Sequence, residues 1–268
     1  MAIKLLATDL DGTLLRGGQP VSAGNIAAAR AAAQAGKIVT IATGRMYRAA
    51  LPIAEALGLE VPIITYNGAL IKSTSGKIYH EQYLDEDICR QITDFAAERG
   101  WYLQTYSGDR LYYSDYSEFS KRYENSQKII GENIGYAGMR KKVEKMYKML
   151  IITPDPAVTQ DWMAQLTAEF GGSITLTQSA GDFIEIISPG VSKASALVKL
   201  AELMDIDISE TMAIGDADND LPMLRAAGFS VAMGNATEEV KAVTDAVTGN
   251  CDDDGWAQAV YKYVLEQN

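Results

Sequence analysis

Histidine is almost missing from this chain: His80 is the only one in 268 residues. That excludes an HExxH zinc site, a multi-histidine metal centre and any phosphohistidine mechanism that needs a second histidine as acid or base. Cysteine is scarce too, and two thiols as far apart in sequence as Cys89 and Cys251 do not make the disulfide scaffold of a small secreted domain. Positive charge is in deficit, with 24 Lys and Arg against 35 Asp and Glu and a net charge of −11. Such a field repels phosphate backbones and anionic headgroups, which argues against nucleic acid and membrane surfaces as partners. The opening stretch MAIKLLATDLDG has an apolar run that ends at Asp9, too short for a signal-peptide core or a membrane span. A cytoplasmic location is the expectation. Walker A and a strand-borne G-x-G-x-x-G are also absent, so nucleotide binding through those loops is not indicated. Catalysis then rests on carboxylates, hydroxyls and lysines.

What is present is an ordinary globular composition, 47% hydrophobic and 22% charged, long enough for one large or two modest domains. Short apolar runs at 3–8, 38–42 and 61–65 read as buried strands. Alanine-rich helices at 22–35 and 46–57 separate them, with Ser22 as an N-cap and Gly36 and Gly58 as stops. The alternation returns late, as helix 192–204, strand 212–214, helix 219–226 and strand 229–231. Alternating strands and helices make a parallel sheet wrapped by helices, an α/β core to which both ends of the chain belong. The middle differs, for residues 84–188 hold eight of the fourteen tyrosines. Its order reads as helix 85–99, strands 101–106 and 110–113, a polar stretch to about 146, strand 148–152, helix 157–169, and strands 173–177 and 183–187. This is an α+β insertion, with exits near Tyr83 and at Ser188-Pro189-Gly190. The basic run Arg140, Lys141, Lys142, Lys145 and Lys148 reads as a solvated face.

Chemistry gathers where apolar strands end. Asp9-Leu10-Asp11-Gly12-Thr13 follows the first strand, at the edge where open α/β sheets bind ligands. The motif is either a polar Asp-Gly turn or a pair in which one carboxylate attacks an electrophile while the second serves as acid and base. Two acids so close repel unless they share a cation. Gly215-Asp216-Ala217-Asp218-Asn219-Asp220 adds acidity at the end of a later strand, a hard-cation set by ligand type. As a calcium loop it fails twice, with Leu221 at the glycine position and Ala227 at the glutamate position. Thr43-Gly44-Arg45 ends the second strand and offers a hydroxyl and backbone N–H groups to an anion at a helix start. Lys193 opens the helix after the insertion, where a lone lysine is either solvated or functional. Ser192 is no hydrolase nucleophile, since G-x-S-x-G reads G-V-S-K-A and no histidine follows. Asp252-Asp253-Asp254-Gly255 reads as a bland acidic turn.

D-x-D-G-T, T-G-R, a lone helix-opening lysine and G-D-x-x-N-D, in that order along the chain, resemble the haloacid dehalogenase superfamily and within it the Cof-type phosphatases. The resemblance spans essentially the whole chain. It implies a Rossmann-like parallel sheet core with helices on both faces, residues 1–83 and 189–268, and an inserted α+β cap of the C2 type, residues 84–188, that governs substrate specificity. The Asn67-Gly68-Ala69 turn is similar to that subgroup as well. Carried over by position, Asp9 is the nucleophile and Asp11 the general acid and base. Leu10, Thr43, Gly44, Lys193 and Asn219 bind the phosphate. Asp9, Asp216 and the Asp11 carbonyl hold Mg²⁺, and Asp220 steadies the metal shell. The linker departs from the subgroup's common Pro-Lys-Gly-Val-Ser-Lys, reading Pro189-Gly190-Val191-Ser192-Lys193. The implied function is Mg²⁺-dependent hydrolysis of small phosphorylated metabolites, sugar phosphates among them, through an aspartyl-phosphate, by a monomer or small homo-oligomer. A sugar phosphomutase using the same aspartates is the alternative. A phosphate- or metal-binding module without turnover would show a degraded motif, and no motif position is degraded. In the insertion Tyr102, Tyr106, Tyr112, Tyr113 and Tyr116 either meet a sugar or form one face of a sheet.

Overall fold

The structure, a computed structural model, describes residues 2–17, 19–58 and 61–266. The chain divides into two compact units, one of Met1–Gly44, Ala50–His80 and Ser192–Asn268, the other of Arg45–Ala49 and Glu81–Val191. Among the described residues no helix is long and apolar enough to cross a membrane.

The first unit is built on a five-stranded parallel sheet in the order Ala246–Val247, Phe229–Ala232, Thr211–Gly215, Leu5–Thr8, Ile38–Ile41. Leu5–Thr8 and Thr211–Gly215 are buried along their whole length. Helices on both faces of the sheet require that of its strands. Leu5 and Leu6 are fully buried, and each contributes about 2 kcal/mol of transfer free energy. That holds in register the strand that delivers Asp9. From Leu5–Thr8 the chain steps first to Ile38–Ile41 on one side, and much later to Thr211–Gly215 on the other. Strand order therefore reverses between Leu5–Thr8 and Thr211–Gly215, and at such a reversal a crevice opens beyond the carboxyl ends of the strands.

Capping explains where the helices begin. The Ser22 hydroxyl accepts from the Asn25 N–H at 3.1 Å ahead of Ala23–Gln34, and Ser192 forms a capping box with Ser195 ahead of Lys193–Leu203. Two expectations change. The run at 61–65 becomes the strand Pro62–Thr65, which meets the parallel sheet through a bridge between Ala42 and Ile64 and through the Thr40 hydroxyl, which donates to the Pro62 carbonyl at 2.6 Å. Its ladder partner is the strand Leu70–Ser73, which stands between it and Ile78–Glu81 in a three-stranded sheet. The helix expected at 219–226 splits into a 3₁₀ turn, Asp218–Asp220, and Leu221–Ala226 with Pro222 in its first turn. Proline lacks an N–H and is tolerated where a helix begins.

The second unit is α+β. Its six-stranded sheet has the order Thr175–Thr177, Phe183–Ile187, Met146–Ile152, Leu103–Ser107, Arg110–Tyr113, Glu132–Asn133, antiparallel except for the last pair. A core including Cys89, Ile92, Leu103, Met149, Ile151, Leu166, Phe170, Ile184 and Ile186 joins the sheet to the helices Glu86–Arg99 and Thr159–Phe170. The polar stretch to about 146 is not featureless. It holds the helices Glu118–Gln127 and Gly135–Met139, the first burying only Ser120 and Tyr123, too few apolar positions to show a period.

The basic run also needs correcting. Lys148 is buried, its Nζ 2.7 Å from Glu185 Oε1, with both side chains 2% exposed. Lys148 lies on a central strand beside Tyr106, whereas a solvated face would need it at an edge. Four of the five tyrosines are sheet residues or their neighbours and are buried, Tyr102, Tyr106, Tyr112 and Tyr113, while Tyr116 is half exposed. Tyr106 donates to Gln104 Oε1 at 3.0 Å, and Gln104 Nε2 donates to the Tyr102 hydroxyl at 2.9 Å.

Candidate active site

Asp9 leaves the strand Leu5–Thr8 still tied to its neighbour, its N–H donating to the Ile214 carbonyl at 3.0 Å. The loop then turns back on itself, with the Leu15 N–H donating to the Leu10 carbonyl at 2.8 Å. At its tip Gly12 has φ +86°, and a Cβ there would lie 2.3 Å from Asp216 Oδ2. Only glycine allows both the left-handed turn and this approach of the two acidic loops. Thr13 secures the approach by donating to Asp216 Oδ1 at 2.7 Å. Asn235, in the turn after Phe229–Ala232, donates to the Gly12 carbonyl at 2.8 Å and accepts from the Cys251 N–H at 2.8 Å. Thr13 and Asn235 are frame residues that the motif reading left without a role. The signal for Thr13 was its place inside D-x-D-G-T, and for Asn235 its place at the same end of the sheet.

Lys193 completes the centre. As the first residue of its helix it reaches inward, placing Nζ 2.6 Å from Asp9 Oδ1 and 2.7 Å from Asp220 Oδ1. Lys193 is 2% exposed, Asp9 6% and Asp220 0%, so a desolvated ammonium bridges two desolvated carboxylates. The other oxygen of Asp220 accepts the N–H groups of Asp216 at 3.1 Å and Ala217 at 3.3 Å. Both oxygens of Asp220 are therefore engaged by donors, one by Lys193 and the other by the Asp216 turn.

Carboxylate oxygens of Asp9, Asp216 and Asp220 lie within 4.8 Å of one another. Burial raises the Asp9 carboxyl well above the ordinary range; Lys193 opposes this, and Asp220, Asp216 and Asp11 add to it. Asp216 is pushed up to about 6, chiefly by burial, against the hydrogen bond from Thr13. Burial would lower the Lys193 ammonium, but Asp220 and Asp9 outweigh it and raise it. These acids lack enough positive charge, and an all-oxygen set of hard donors fits a divalent cation that would supply it. The Asp11 side chain is exposed and outside this carboxylate cluster.

The remaining expected residues lie at the same end of the sheet. Leu10 is buried between the two motif aspartates. Thr43, 1% exposed, follows Ile38–Ile41, its N–H on the Ile64 carbonyl at 3.0 Å, with Gly44 half-buried beside it. Asn219 is half-buried in the 3₁₀ turn Asp218–Asp220.

Comparison with known proteins agrees with this arrangement. The profile of the haloacid dehalogenase-like hydrolases matches residues 6–260. Phosphatase YwpJ of Bacillus subtilis is 30% identical over 98% of this chain and 100% of its own length. The 5-amino-6-(5-phospho-D-ribitylamino)uracil phosphatase YcsE of the same organism is 30% identical over 98% of this chain and 96% of its own. The solved structure of a haloacid dehalogenase-like hydrolase from B. subtilis superposes with a TM-score of 0.88 at 30% identity, covering 97% of this chain and 100% of that one. With its acidic loops meeting at the strand-order reversal and this likeness running from end to end, the chain belongs to the haloacid dehalogenase-like hydrolases, of the Cof type.

Proposed function

We propose that this phosphatase is Mg²⁺-dependent and hydrolyses small phosphorylated metabolites, sugar or polyol phosphates in particular, through an aspartyl-phosphate on Asp9. The observation that carries the reading is the buried Asp9 carboxylate at the strand-order reversal, 2.6 Å from the Lys193 ammonium and clustered with Asp216 and Asp220. An Asp9 oxygen attacks phosphorus and the ester P–O bond breaks. Asp11 gives a proton to the departing alkoxide, then takes one from the water that attacks the acyl phosphate, releasing phosphate and restoring Asp9. An exposed Asp11 side chain suits exchange of that proton with solvent. Lys193, Thr43, Asn219 and the backbone N–H groups of Leu10 and Gly44 hold the phosphoryl oxygens, where charge spreads as the bond breaks. Mg²⁺, held by Asp9, Asp216 and the Asp11 carbonyl with Asp220 in support, would offset repulsion between the attacking carboxylate and a phosphate dianion.

The polyol preference is supported by YcsE, whose named substrate carries a phosphorylated ribityl chain. In this reading residues 84–188 act as the cap that selects the leaving group, while residues 1–83 and 189–268 do the chemistry. Cys89 and Cys251 are free thiols, which suits the reducing cytoplasm as the proposed compartment. The test is phosphate release from a panel of phosphate monoesters. Excess chelator abolishes release, Mg²⁺ restores it, and Ca²⁺, with its looser coordination, supports little turnover. Mg²⁺ also raises the thermal midpoint of the substrate-free protein, because it binds only the folded cluster. Full activity in excess chelator would contradict the shared-cation argument.

A further inference from the structure

The turn that follows the strand Phe229–Ala232 holds both acidic loops at once. From its backbone the Met233 N–H donates to the Gly215 carbonyl at 3.0 Å, and the Thr237 N–H to the Asp216 carbonyl at 3.3 Å. From the same turn the Asn235 side chain crosses to the first-motif loop, where Nδ2 donates to the Gly12 carbonyl at 2.8 Å. Asn235 is exposed, so its side chain is fixed by hydrogen bonds rather than by packing. Its Oδ1 accepts from the Cys251 N–H at 2.8 Å. The Cys251 carbonyl accepts in turn from Arg16 Nε at 3.1 Å, and the Arg16 guanidinium pairs with Asp254, which also accepts from the Ser22 hydroxyl. Both ends of the Asn235 amide are therefore anchored on segments that grip the first-motif loop.

The two loops need such a tie. A Cβ on Gly12 would lie 2.3 Å from Asp216 Oδ2, and Asp9, Asp11 and Asp216 bring like charges to that meeting. Without a cation their repulsion works to part the loops. Thr13 opposes it by occupying Asp216 Oδ1, an oxygen that is then less available as a ligand. Asn235 opposes it through a backbone carbonyl and takes up no carboxylate oxygen. The carbonyl it holds also belongs to the residue after Asp11, whose own carbonyl is a ligand in the reading above.

We propose that Asn235 is a positioning residue for the cation: it keeps the Gly12 and Asp216 loops together in the metal-free protein and so raises the affinity for Mg²⁺ without being a ligand. The proposal rests on the Mg²⁺-dependent reading and deepens it. Groups that orient metal ligands from outside contribute about 10- to 100-fold in affinity.

The test follows the thermal midpoint of the substrate-free protein against Mg²⁺ concentration, which reports binding to the folded state with no turnover involved. Asn235→Ala removes both hydrogen bonds. Asn235→Asp keeps Oδ1 for the Cys251 N–H but has nothing to donate to the Gly12 carbonyl, and its added charge alone would favour a cation. In both variants the titration shifts to about tenfold higher Mg²⁺ or more, while the metal-free midpoint stays close to wild type, as expected for an exposed side chain. Phosphate release from a monoester shows the same shift and recovers as Mg²⁺ is raised. A titration unmoved in either variant overturns the proposal. So does a metal-free midpoint that collapses in both, the mark of a bond that holds the fold rather than the site. A wild-type midpoint that ignores Mg²⁺ overturns the shared-cation reading and this proposal with it.

Discussion

Asp9→Asn leaves the protein folded and lowers turnover by about 10⁴-fold or more, the scale of losing a covalent nucleophile. The substitution keeps shape and volume but removes the charge that attacks phosphorus. Stability does not fall with activity. Asp9 is a buried carboxylate among acids, raised well above its ordinary range chiefly by burial, and a neutral amide there relieves that repulsion while Lys193 keeps Asp220. Thermal melts and steady-state rates together check the expectation. A folded variant that keeps a tenth of the wild-type rate would remove Asp9 from its role.

Lys193→Ala has a different signature, with activity and stability lost together. Its Nζ lies between Asp9 Oδ1 and Asp220 Oδ1, and Asp220 is fully buried. Removing one partner of a buried ion pair leaves uncompensated charge, a cost of about 3–5 kcal/mol. At about 2–4 °C per kcal/mol for a chain approaching this size, the thermal midpoint drops by roughly 10 °C. Adding Asp220→Asn to the same chain recovers most of the stability, because it removes one of the stranded charges. It does not recover turnover, which needs the ammonium on the phosphoryl oxygens. A Lys193→Ala protein as stable as the wild type would show that the lysine is not buried between these acids.

The site was legible in the sequence because its residues stand at the carboxyl ends of apolar runs. Asp9, Thr43 and Asp216 each follow a strand whose burial the pattern reveals, and Lys193 follows a serine that caps its helix. Less visible was whatever depends on partners remote in sequence. Lys148 looked solvated inside a basic run, and only its register opposite Tyr106 and its pairing with Glu185 show it is buried. The hairpin strands Leu70–Ser73 and Ile78–Glu81 are four residues each, with Lys72 in one and His80 in the other, too short and mixed for a strand pattern to stand out. Asn67 read as a turn residue, which it is. The contact of Gly12 with Asp216 joins loops about 200 residues apart.

The central claim is that phosphate passes through Asp9. Lys4 and Arg16 bracket the first motif, so trypsin isolates residues 5–16 with both Asp9 and Asp11. Asp11→Asn slows hydrolysis of the intermediate, since the group that draws a proton from water is gone. This variant is mixed with a phosphate monoester and Mg²⁺, quenched, reduced with borohydride and digested, and the peptide is sequenced by mass spectrometry. A phosphorylated Asp9 is converted to homoserine at that position, and the account predicts homoserine at residue 9 in proportion to phosphoenzyme formed, and none without substrate. Homoserine at another position, or an unmodified peptide from a variant still releasing the alcohol, would contradict it.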